Sequence, residues 1–160
     1  MDPATLLRTA KLIAVPLPFF LSGYSYSFSQ NSVPGVLEQP AHVNTPIFNH
    51  VFHTGAQVIV PGALLGLATS SYLAYVIPAQ RTPWGAAAIA NVAPLLFTQL
   101  VMFSGIKRLL AISEDKKLQE KATANLEHRQ LLSRWVTQNY VRAALYAVAG
   151  VAALRATVAA

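Results

Sequence analysis

The chain has 160 residues, enough for one domain; 54% are hydrophobic and only 11% charged, where a soluble domain carries about 25%. It has no cysteine, which excludes disulfides, thiolate nucleophiles, iron–sulfur clusters and thiolate-held haem. Most of the Lys and Arg behind its net charge of +6 lie between Lys107 and Arg134, without the aromatic interleaving of a stacking platform, so nucleic acid is not an expected partner.

Four long apolar stretches follow one another. The first predicted helix covers residues 3–30, with Asp2 as its cap and Pro3 at the first helical position. Arg8 and Lys11 ahead of an apolar run resemble a signal peptide, but bulky aromatics stand where a small-residue cleavage site belongs. The expectation is an uncleaved span. The loop 31–45 has no Lys or Arg and contains Pro34, Gly35 and Pro40; it reads as a lid or re-entrant turn. Thr45-Pro46 and Thr82-Pro83 repeat the cap-plus-proline signature. They predict helix starts for spans 46–77 and 83–112. Both exceed the roughly 20 residues that cross hydrocarbon, so they tilt or protrude. Residues 113–130 are polar, with Leu118, Ala122 and Leu126 four apart, the spacing of a surface helix. An alanine-rich last span covers 131–158.

The expected fold is therefore all-α: a single transmembrane domain over 1–160, a four-helix bundle with a short amphipathic helix before the last span. Gly62 and Gly66 form a small-xxx-small pair suited to close helix contact. Pro16, Pro18, Pro61 and Pro94 lie inside spans, and each frees a carbonyl that packing must satisfy. Seven Lys or Arg lie from Lys107 to Arg134, against Arg8, Lys11, Arg81 and Arg155 on the other side. The positive-inside rule then puts the loop 113–130 in the cytosol; the compartment expected is an endomembrane such as the endoplasmic reticulum.

Polar residues gather at one end of the spans. They include Tyr24, His50, His53, Gln57, Thr98, Gln99, Trp135, Gln138, Asn139 and Arg142. Polar groups in lipid are expensive, so their collection predicts an inward-facing pocket. His50, His53 and Gln57 lie at i, i+3 and i+7; Trp135, Asn139 and Arg142 lie at i, i+4 and i+7. Arg142, two turns inside the last span, is the sharpest signal; its alternative role is structural, satisfying proline-freed carbonyls. Each histidine taken alone is as well explained by a wet interfacial position. No carboxylate lies within a span, so the two histidines are a weak metal signal and no metal site is assigned. Trp135 and Tyr24 also suit a plain interfacial aromatic belt.

The run from Leu131 to Arg142, with Trp135, Asn139 and Arg142, resembles the last-span signature of the anthrone oxygenase-like family of small membrane proteins. So does the stretch Phe48-Asn-His-Val-Phe52-His-Thr-Gly55 followed by Pro61. The family motif has Trp and Tyr where this chain has Phe48 and Phe52, and Pro-Thr-Asn near Ser104-Gly105-Ile106.

The resemblance implies a membrane-embedded, cofactor-independent oxygenase of polyketide pathways, with dioxygen as co-substrate and a lipophilic aromatic anthrone as substrate. It implies a base, His50 or His53, acting while neutral. Asn139 and Arg142 would hold phenolate oxygens, and Trp135, Phe48 and Phe52 would sandwich planar rings. Tyr24, Gln57, Thr98, Gln99 and Gln138 complete the expected substrate pocket. Two other readings stay open: an isomerase or cyclase of a lipophilic natural product using the same pocket, and a non-catalytic four-span scaffold or lipid-binding protein. Membrane lipids are expected partners, and self-association is left open.

Overall fold

A computed structural model describes residues 2–158, and every regular element among them is helical. Four helical spans, Pro3–Val36, Ala41–Val76, Pro78–Glu114 and Glu127–Val158, are long and apolar enough to cross a membrane. They pack as a bundle, the integral-membrane architecture expected of the sequence.

The first span is three pieces: α1 (Pro3–Ala14), α2 (Pro16–Ser27) and a wide π turn at Phe28–Ser32, followed by a single tight turn at Pro34–Val36. Asp2 caps α1, accepting from the Thr5 N–H at 3.3 Å. The division between α1 and α2 falls at Val15, just before the Pro16-Leu-Pro18 run, where N–H groups are missing from the helical ladder.

α3 (Ala41–Val76) begins five residues earlier than Thr45-Pro46 suggested, because Pro40 supplies the extended start. The Ala41 N–H, orphaned at the helix end, donates to Thr123 Oγ1 at 3.0 Å. Pro46 therefore lies inside the helix, and Thr45 turns its hydroxyl back onto the Ala41 carbonyl at 2.7 Å. Thr82 is likewise no cap. α4 (Arg81–Phe97) starts after a tight turn at Pro78–Gln80, and Gln80 Oε1 accepts from the buried Trp84 indole at 3.1 Å. Pro94 lies near the end of α4; the helix widens into a second π turn, Thr98–Met102, before α5 (Phe103–Glu114) resumes. Thr98 Oγ1 donates to the Pro94 carbonyl at 2.8 Å.

The polar segment divides where Leu126 takes φ 59°. α6 (Lys116–Ala124) is capped by Asp115, and α7 (Glu127–Val158) starts before the expected 131. Ala122 and Leu118 pack against Ala41, Ile112 and Leu131. Leu126, expected on the same face, is an exposed turn residue instead. The loop 31–45 is mostly helical turns, and its last five residues, Ala41 to Thr45, already belong to α3. There the buried His128 ring sets Nδ1 2.8 Å from the Ala122 carbonyl and Nε2 3.2 Å from the Gln39 carbonyl. Arg129 pairs with Glu38, and Arg108 grips Glu127 through two bonds of 2.7 and 3.0 Å.

The expected close approach at Gly62 and Gly66 is present. A Cβ on Gly66 would stand 2.4 Å from Asn91 Oδ1, and one on Gly62 2.8 Å from Leu21. The small residues let α3 meet α4 and α2 backbone-close.

Candidate functional site

Three features of the chain open a cavity in the middle of this bundle. α3 turns Val51, Phe52, Gly55, Ala56, Ile59 and Val60 toward it. The π turn of the third span supplies Thr98 and Gln99, with Leu95 one turn above. The π turn of the first span brings in Phe28, whose ring lies 3.6 Å from where a Cβ of Gly55 would be. α7 closes the far wall with Trp135 and Arg142. The enclosed volume is about 400 Å³, within the usual range for small-molecule sites, about 300–1,000 Å³.

The walls are mostly apolar, so the polar groups stand out. Arg142 is only 8% exposed and donates no hydrogen bond to another described residue. The ion pairs of the described residues are Arg108–Glu127 and Arg129–Glu38, so no carboxylate neutralises it. The Trp135 indole N–H is also buried without a partner. A buried charge left unpaired costs several kcal/mol. Both residues stand on one helix wall of the cavity, where a buried cation without a carboxylate partner is the outstanding electrostatic feature.

An aromatic wall stands beside them. Phe48 packs edge-on against Trp135 with centroids 5.2 Å apart and stacks with Phe52 at 6.2 Å. Tyr24 meets Phe28 edge-on at 4.8 Å. Phe52 thus lines the cavity itself, while Phe48 and Tyr24 brace it from behind.

Other expected site residues lie elsewhere. His50, His53 and Gln57 are exposed on the outer face of α3. His53 Nδ1 lies 2.9 Å from the Asn49 carbonyl of its own helix. The reason is the helix period: α3 buries Thr45, Phe48, Gly55, Ile59 and Ala63, and positions 50, 53 and 57 fall on the other side of that stripe. The expected histidine base is corrected accordingly. Gln138 is half-buried but is not among the cavity residues. Asn139 is fully buried and serves as a tie: its amide donates to the Ser25 carbonyl and to Ser29 Oγ, both at 2.7 Å. It thereby holds the π turn that presents Phe28.

This arrangement lies almost wholly inside a stretch that matches a known family. The anthrone oxygenase family profile covers residues 48–152, about two thirds of the chain and every cavity residue except Phe28. The chain belongs to the anthrone oxygenase family. No curated protein and no solved structure matches it. Within this family member, the last-span motif thus divides its labour. Trp135 and Arg142 face the cavity, and Asn139 secures its wall.

Sequence reading did not single out Phe28, Val51, Ile59 or Leu95. They are ordinary apolar residues, and only tertiary placement marks them. Tyr146 was also missed. It is fully buried one turn beyond Arg142, and its hydroxyl has no partner. The spacing 135, 139, 142, 146 continues the stripe already noted and was the signal available.

Proposed function

We propose that this protein is an oxygenase that converts an anthrone-type aromatic polyketide to a quinone within the bilayer. The observation that carries the reading is the unpaired Arg142 in an aromatic cavity. An anthrone has an acidic ring methylene beside a carbonyl. Loss of that proton to a hydroxide or buffer base places the charge on the carbonyl oxygen, as an aromatic oxyanion. Arg142 supplies donors where this charge forms, and the low dielectric strengthens the attraction. The flat walls at Phe52 and Phe28 suit the rings.

The anion then reacts with dioxygen. A C–O bond forms at the former methylene, and the peroxide takes up one proton. Loss of the second ring hydrogen with cleavage of the O–O bond gives the second carbonyl and water. The sum is one anthrone and one dioxygen to one quinone and one water, so neither atoms nor protons are left over. Stabilising the anion lowers the acidity barrier of the first step, so the binding of charge is itself the catalytic device.

Incubation of purified protein with an anthrone under air and under argon tests this reading. Quinone should form under air with one dioxygen consumed per product, and not under argon. Oxygen-independent conversion to an isomer or ring-closed product would replace the oxygenase with the isomerase or cyclase reading.

A further inference from the structure

We infer that ligands reach the cavity sideways, from the hydrocarbon core of the bilayer, through a portal between α3 and the π turn of the third span. The inference rests on the cavity being the ligand site and not on which reaction occurs there.

Depth comes first. Ile59, Leu95, Thr98 and Arg142 lie close to the midpoints of the spans Ala41–Val76, Pro78–Glu114 and Glu127–Val158. The part of the cavity at Ile59, Leu95, Thr98 and Arg142 is therefore at mid-span depth, while Phe28, Phe52 and Trp135 carry it about two turns toward one end. Next comes the place where it meets the surface. Most cavity residues are buried or half-buried, but Val60 on α3 is 42% exposed and Gln99 in the π turn is exposed as well. These two mark the mouth.

The surroundings of the mouth decide what it opens to. Leu64 lies one turn from Val60, and Leu96 and Leu100 flank Gln99; all three are exposed. A rim of exposed leucines at this depth faces acyl chains and not water. The π turn explains why the wall parts here. One extra residue per turn and the neighbouring Pro94 loosen the third span opposite Val60.

Gln99 is the polar residue on this apolar rim. An amide facing lipid is costly unless it finds a partner. Its position suits a hydroxyl or carbonyl on a flat, membrane-dissolved aromatic as it passes inward toward Arg142. The portal thus selects for lipid-soluble molecules that carry a hydrogen-bonding edge.

Fluorescence reports the opening without turnover. The chain has two tryptophans: Trp135 on the cavity, and Trp84, buried at the far end of the bundle among Ala10, Ala14 and Leu73. The Trp84→Phe protein is placed in vesicles of phosphatidylcholine brominated near the middle of the acyl chains. Trp135 emission should be quenched although that side chain is nearly buried, and Val60→Phe, which fills the mouth, should cut the quenching by at least half. Should Trp84→Phe not fold, the difference between the wild type and Trp135→Phe isolates the same signal. Equal quenching with and without the Val60 plug overturns the portal, as does stronger quenching by aqueous iodide than by the brominated lipid. Failure to oxidise anthrones would overturn the proposed reaction and leave this result standing.

Discussion

Arg142→Met is expected to cut quinone formation by about 100-fold or more while raising the stability of the protein. Removing one donor from a site that stabilises developing negative charge costs about 100- to 1,000-fold in turnover. Arg142→Lys should fall in the same range, because a flexible ammonium does not reproduce the planar fork. Stability should move the other way. Arg142 is buried with no carboxylate paired to it, and its Nε has no partner among the described residues. Replacing it with an apolar side chain of similar length removes an uncompensated charge, an effect on the order of 1 kcal/mol or more. Thermal unfolding in detergent, run beside kcat/KM, reads both. A variant that loses stability together with activity would show that Arg142 satisfies the bundle and not a ligand.

Asn139→Ala is expected to destabilise the protein by about 1–3 kcal/mol, the cost of leaving buried partners unsatisfied. Its amide meets the Ser25 carbonyl and Ser29 Oγ, and Ser29 Oγ is also 3.3 Å from the Val136 carbonyl. Without Asn139 the π turn at Phe28–Ser32 keeps only the longer Ser29–Val136 hydrogen bond to α7, and the position of Phe28 in the cavity wall loosens. Thermal unfolding should show the loss directly, and KM should rise more than kcat falls, since a ring wall and not the charge site is disturbed. An unchanged unfolding temperature would contradict this assignment.

These two residues show how much of the site could be read in the sequence. Hydropathy was enough for four spans and the small-xxx-small spacing for the close approach at Gly66, but the Thr-Pro cap signatures held at neither α3 nor α4. They misplaced the start of α3 because the cap of Ala41 is Thr123, 82 residues away, and no local signal reveals a tertiary cap. The stripe on α7 was legible because Trp, Asn and Arg are costly in lipid and recur at helical spacing. The stripe on α3 was legible too, but its facing was not. Two histidines near a membrane interface look alike whether they turn in or out. Only the packing of Phe48, Gly55 and Ile59 against the bundle settles that His50 and His53 turn out. The cavity depends on π turns at Phe28 and Thr98, which rearrange the backbone ladder without a residue-type signature.

The central claim is that Arg142 holds an aromatic oxyanion in the cavity. The most direct measurement uses an unreactive hydroxylated anthraquinone as a probe and follows its phenolate absorption band with pH, free in empty vesicles and bound to the protein. An opposite charge within about 4–6 Å lowers an acidic pKa by about 1–3 units. The bound probe should therefore ionise at a pH at least one unit lower than the probe in empty vesicles, and Arg142→Met should erase the difference. The same ionisation curve in both settings, or a shift that survives loss of Arg142, would contradict the account.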